Sequence, residues 1–122
     1  MSAGGDLIRQ AYDAFGRGDV PAVLDVLADD VTWDVPELVP QGGSFSGKEA
    51  VGGFFQRLGE LYEELGLDIR DLVDGDNRVA GVGTARGKLR EGGPVEYGFV
   101  HVFDVDGGKV TRFREYVESS VS

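Results

Sequence analysis

Apolar residues recur along this chain first at helical spacing and then at strand spacing, and the switch divides it in two. Leu7, Ile8, Ala11, Tyr12, Ala14 and Phe15 predict a first helix, ended by Gly16 and Gly18. Asp19 is placed to cap a short second helix, with Pro21 in its first turn and Val23, Leu24 and Leu27 on its buried side. A strand follows at Val31-Thr32-Trp33-Asp34-Val35, and the stretch from Pro36 to Phe45 reads as a surface loop. Ser46-Gly47-Lys48-Glu49 has the form of a capping box. After it, Val51, Phe54, Phe55, Leu58, Leu61, Tyr62 and Leu65 give the strongest helical period in the chain. Four strands are then expected over 67–73, 78–89, 95–105 and 109–117, separated by Asp74-Gly75-Asp76-Asn77, Glu91-Gly92-Gly93 and Asp106-Gly107-Gly108. Helices first and consecutive antiparallel strands last define an α+β layout in one domain, residues 1–122.

The faces of the last two strands locate the candidate chemistry. Val95, Tyr97, Phe99, His101, Phe103 and Val105 share a bulky aromatic face, which should meet the helices. Thr111, Phe113, Glu115 and Val117 share one face of the final strand. If Asp106-Gly107-Gly108 is a three-residue loop, Phe113 lies opposite His101, and Glu115 lies opposite Phe99. Glu115 is then a diagonal neighbour of His101, roughly 7–8 Å away between backbones. A two-residue loop would flip that assignment. For the strand 78–89 the inward set is either Val79, Gly81, Gly83, Ala85 and Gly87 or Ala80, Val82, Thr84, Arg86 and Lys88.

Composition narrows the function classes. With 122 residues the chain buries roughly two-thirds of its unfolded surface, enough for one core. There is no cysteine, which excludes thiol chemistry, disulfides and cysteine-based zinc sites. A net charge of -10 and the lack of any basic stripe argue against nucleic acid. No signal peptide or membrane-length apolar run is visible, so the expected location is cytoplasmic with no membrane partner. The acidic clusters Asp29-Asp30 and Glu60-Glu63-Glu64 lack metal-ligand spacing, and no metal or cofactor is expected.

Asp19, Leu27-Ala28-Asp29-Asp30-Val31-Thr32-Trp33, Pro36, Gly47-Lys48-Glu49-Ala50-Val51, His101-Val102-Phe103, Gly108-Lys109-Val110 and Phe113-Arg114-Glu115-Tyr116 together resemble SnoaL-like proteins. These belong to the nuclear-transport-factor-2-like superfamily, with ketosteroid isomerase and limonene epoxide hydrolase. The resemblance implies a curved, mostly antiparallel sheet wrapped as a cone around three helices, a pocket at the open end, and a homodimer through the outer sheet face. His101 falls where SnoaL-type cyclases carry an acid/base aspartate and where the isomerase keeps a protonated aspartate as oxyanion donor. Val35 takes the place of the isomerase's general base, and the isomerase's tyrosine falls near Ala11 and Tyr12. Of the epoxide hydrolase's Asp-Arg-Asp set only the last carboxylate has a counterpart, Glu115; the others fall near Thr84 and Arg86.

These readings give one expectation. A small hydrophobic molecule of polyketide, terpenoid or steroid type binds in an enclosed pocket, and His101, backed by Glu115, moves protons on it. Histidine suits that work because its unperturbed pKa is about 6.5. Expected pocket residues are Tyr12, Phe15, Trp33, Val35, Phe54, Phe55, Leu58, Thr84, Arg86, Tyr97, Phe99, Phe103 and Phe113. The alternative is a non-catalytic binding or dimeric interaction module using the same cavity.

Overall fold

A computed structural model describes residues 3–118. Three helices, α1 (Ala3–Gly16), α2 (Val20–Asp25) and α3 (Lys48–Leu61), pack against six strands. The strands are β1 (Leu27–Val35), β2 (Gly43–Ser46), β3 (Tyr62–Asp74), β4 (Arg78–Leu89), β5 (Pro94–Asp106) and β6 (Lys109–Val117). They form one curved, unclosed sheet in the order β2-β1-β6-β5-β4-β3, with every pairing antiparallel except β1 with β6. The expected α+β cone is therefore present. Its core lies between the helices and the concave face, where Ile8, Val31, Val51, Val79 and Val110 are fully buried.

Local chemistry explains most elements. Asp19 caps α2 through its Oδ1, which accepts from the Ala22 amide at 3.2 Å. Ser46 does not cap α3. It is held in β2 opposite Thr32, so the helix starts one residue later, at Gly47, without a side-chain cap. The spacing needed for a capping box is thereby lost. The stretch read as a loop contains β2, which pairs Phe45 with Trp33, and its remainder buries Val39 and Gln41. α3 stops at Leu61 rather than running to Leu65, because Tyr62 turns extended and opens β3. There Leu65, Leu67 and Ile69 alternate with exposed Glu64, Gly66, Asp68 and Arg70, a two-residue period that outweighs the helical one.

The β5–β6 hairpin differs from the expected register in a way that preserves its faces. The turn is two residues long, with Gly107 and Gly108 both at positive φ (59° and 77°), the conformation such a turn demands. That moves the pairing by one position, to Val105 with Val110. A bulge at Thr111 then moves it by one more, so that Asp104 meets Arg112, Phe103 meets Phe113 and His101 meets Glu115. Two single-residue shifts sum to an even number, so His101 and Glu115 stay on the same face. They are direct cross-strand partners, not diagonal ones.

β4 turns Val79, Gly81, Gly83 and Ala85 inward. Thr84 and Arg86 consequently lie on the convex face, where exposed Arg86 pairs with Glu96 at 2.9 Å. Among the described residues no helix is long and apolar enough to cross a membrane.

Candidate functional site

The concave face holds an apolar cavity of about 80 Å³. It is roughly half the volume of an engineered cavity that takes up benzene, so in this conformation it fits a single small ring at most. Its walls come from all three helices and from the inner faces of β1, β3, β5 and β6. Tyr12, Phe15, Trp33, Val35, Phe54, Phe55, Leu58, Tyr97, Phe103, Phe113, His101 and Glu115 all line it. Three of the expected pocket residues do not. Thr84 and Arg86 are on the opposite face of the sheet. Phe99 is on the inner face but lies behind His101, stacked on the imidazole at 3.9 Å between centroids and 14° between planes.

His101 sits at the centre of a hydrogen-bonded chain. Its Nε2 lies 2.7 Å from Glu115 Oε2, and its Nδ1 lies 2.8 Å from the Tyr12 hydroxyl. The side chains of His101 and Glu115 are each only 6% exposed. Burial pushes the His101 pKa below its usual value, against the opposing pull of the Glu115 hydrogen bond and charge. Burial, reinforced by the Glu115 charge, pushes the Tyr12 phenol up. A neutral imidazole beside a protonated phenol fixes the donor order. Tyr12 O–H donates to Nδ1, and Nε2–H donates to Glu115. Both ring nitrogens are thus engaged by protein, so a ligand can touch the imidazole ring but exchanges protons with it only through its neighbours. Glu115 has a second carboxylate oxygen that the His101 bond does not use.

The reach of Tyr12 depends on Gly81, the direct partner of His101 on β4. A Cβ at residue 81 would stand 2.2 Å from the Tyr12 hydroxyl oxygen. Only a glycine there lets α1 deliver a phenol to the imidazole.

A second polar chain crosses the cavity wall. Tyr62 O–H donates to Gln41 Oε1 at 2.8 Å, and Gln41 Nε2 donates to the Tyr97 hydroxyl at 2.8 Å. Burial and the Glu115 charge push Tyr62 up to about 12, and burial does the same to Tyr97 more strongly. Gln41 was not foreseen from the sequence; it lies in a stretch with no periodic signal. Leu65 and Leu67 also line the cavity, and their alternation with polar neighbours was readable once α3 is ended at Leu61.

One of the residues that line the cavity carries a polar atom with no partner. Trp33 stacks on Phe113 at 3.9 Å between centroids and meets Phe54 and Phe55 at 5.9 and 5.6 Å. Its Nε1 is buried, yet no protein acceptor among the described residues reaches it. An unmet buried donor costs roughly 1–3 kcal/mol.

The sequence model of the SnoaL-like domain matches residues 8–113. No curated protein matches the chain in sequence. Among solved structures, an NTF2-like protein of unknown function from Burkholderia pseudomallei is similar at 29% identity and a TM-score of 0.88, over 97% of this chain and 92% of that one. An NTF2-like protein from Burkholderia thailandensis is similar at 27% identity and a TM-score of 0.89, with the same coverage. A candidate polyketide cyclase from Xanthomonas campestris shares 29% identity at a TM-score of 0.77, over 93% of this chain and 89% of that one. The match from α1 into β6, together with the cone that these structures share, makes this chain a member of the SnoaL-like domain family, in the NTF2-like fold.

Proposed function

We propose that the protein binds a small, uncharged hydrophobic molecule in the cavity and catalyses proton transfer on it, with Glu115 meeting the ligand and His101 as its proton partner. The observation that carries this reading is the directed chain Tyr12–His101–Glu115 in a largely apolar wall. A carboxylate held by a neutral imidazole can accept a carbon-bound proton next to a carbonyl, and the electron pair left behind moves onto the carbonyl oxygen. Return of the proton to a different carbon is isomerisation; its return to the same carbon is exchange. Total charge in the cavity stays constant, because the carboxylate loses its charge as the enolate gains one. The likeness to a candidate polyketide cyclase supports substrates with such acidic C–H groups. The cavity volume favours the small end of that range over a fused-ring steroid.

The role of His101 differs from that of a histidine that touches substrate itself. With both nitrogens engaged, it holds Glu115 in place and stabilises its two protonation states. The test is exchange of the α-protons of cyclopentanone in D₂O, followed by proton NMR. The expected result is catalysed exchange that falls about 100-fold or more in Glu115→Gln, which keeps the acceptor for Nε2–H but removes the base. Binding of cyclopentanone without catalysed exchange would establish the non-catalytic binding module instead.

A further inference from the structure

Glu115 is a buried charge with no opposite charge beside it. Its side chain is 6% exposed, and its hydrogen-bond partner is His101, which burial holds neutral. Among the described residues no lysine or arginine forms an ion pair with it, and none lines the cavity. A buried carboxylate is ordinarily paired, because leaving water penalises an isolated charge. Glu115 Oε2 takes the His101 bond. Oε1 meets no donor among the described residues, yet it is not sealed in the core as Trp33 Nε1 and Arg114 Nε are.

The carboxylate is turned toward the cavity. Glu115 lines it, and its charge acts on the phenols of Tyr12, Tyr62 and Tyr97. Those phenols come from α1, β3 and β5 and stand around the cavity on different sides. A charge felt by all three lies on the concave side of the sheet.

The rest of the wall suits one kind of cation. Eight of the lining side chains are phenylalanine, tyrosine or tryptophan. A strongly hydrated ion would give up its water for rings and one open carboxylate oxygen, a poor exchange. A tertiary ammonium ion is weakly hydrated, since carbon covers most of its charge, and aromatic rings attract it. It carries a single N–H, which matches the single open oxygen of Glu115. The net charge of -10 also raises the concentration of cations around the protein.

We infer that the cavity also binds small tertiary ammonium ions, with the ligand N–H donating to Glu115 Oε1 and its alkyl groups packed against the aromatic wall. This goes beyond the proposed function, because the ligand is charged and has no C–H next to a carbonyl. It occupies the site without reacting and keeps the ketone out.

The test uses the full chain and two ligands of nearly equal size and shape, N-methylpyrrolidinium and cyclopentanone. Titrations are followed by NMR at the methyl and ring resonances of the cavity. The wild type should bind the cation about tenfold or more tightly than the ketone. Glu115→Gln should weaken the cation about 30-fold or more and change the ketone by no more than about threefold. Ketone binding in the variant shows that the cavity is still formed; if the variant does not fold, the wild-type comparison decides. The cation should also slow cyclopentanone exchange, and excess ketone should reverse the effect. Equal affinities in the wild type, equal weakening in the variant, or a bound cation that leaves cavity resonances unmoved overturns the inference. If the cation fills the cavity and cyclopentanone neither binds nor exchanges, the proposed function falls and the inference stands. If neither ligand perturbs a cavity resonance, both fall.

Discussion

Tyr12, His101 and Glu115 form one buried chain and Tyr62, Gln41 and Tyr97 form another, and the two have nearly the same geometry. Each has three side chains joined by two hydrogen bonds of 2.7–2.8 Å. Each is anchored on β5, by His101 in one case and Tyr97 in the other. They differ in the residue at the centre. An imidazole takes up and releases a proton near neutral pH, whereas a primary amide does not. The first chain can pass a proton along itself, and the second can only hold its members in place. What the second holds is the 36–42 segment, because Gln41 ties that segment to β3 and β5 from inside the cavity wall. Under the proposed function, similar burial and similar bond lengths serve chemistry in one chain and shape in the other.

The sharpest way to separate them is Gln41→Leu. The side chains are close in volume, so packing is largely kept, but the Tyr62 and Tyr97 hydroxyls lose their shared partner. Stripping partners from buried hydroxyls costs about 1–3 kcal/mol each, and one of the two can recover part of it by turning, so a loss of about 2–3 kcal/mol is expected in urea denaturation. The ring resonances of His101 should hold their positions. If they move as far as they do in a variant of Glu115, the two chains act as one and the distinction between them fails.

The next effect belongs to the first chain alone. His101 is the only histidine, and burial lowers its pKa in the folded protein below the unfolded value of about 6.5. Above that unfolded value both states hold a neutral imidazole, and there is no penalty. As the pH falls through it, the unfolded chain takes up a proton that the folded chain refuses, so stability declines. The slope approaches about 1.4 kcal/mol per pH unit until the folded pKa is reached. Urea midpoints at pH 7.5 and 5.5 should therefore differ in the wild type. The difference should shrink in His101→Gln, which cannot titrate. A wild type equally stable at both values would mean that Glu115 offsets burial fully and that the imidazole is not held neutral.

Legibility in the sequence followed the same physical lines. The inner face of β5 was readable because its bulky residues recur with a strict period of two from Val95 to Phe103. The meeting of His101 with Glu115 was readable as a shared face but not as a contact, since a glycine turn and the bulge at Thr111 each moved the register by one residue. Nothing short of the folded hairpin reveals that two such shifts restore the face. β4 stayed ambiguous because its inward side is mostly glycine and alanine, which carries little hydrophobic signal, and the larger Thr84 and Arg86 point outward. Gln41 was invisible because its partners come from residues 21 and 56 positions away. Trp33 was expected in the pocket for its ring, while the unmet nitrogen is a property of the packed structure only.

The glycines of β4 also set up the smallest and most discriminating change. Tyr12→Phe removes the donor to His101 Nδ1 and should cost about 1 kcal/mol. It should also shift the Nδ1 resonance of the single histidine in a ¹⁵N spectrum, as the nitrogen loses its hydrogen bond. Gly81→Ala should give the same spectral change by another route. Its new methyl group occupies the place of the Tyr12 hydroxyl, which must swing away. Its cost in stability should be smaller, because alanine in a strand interior recovers roughly 0.5–1 kcal/mol of the entropy that glycine loses on folding. A nearly wild-type urea midpoint with a Tyr12→Phe-like histidine spectrum would show that Gly81 serves the proton chain rather than the sheet. An unchanged spectrum would show that Tyr12 can reach His101 around a methyl group, and the first chain would then be no more tightly specified than the second.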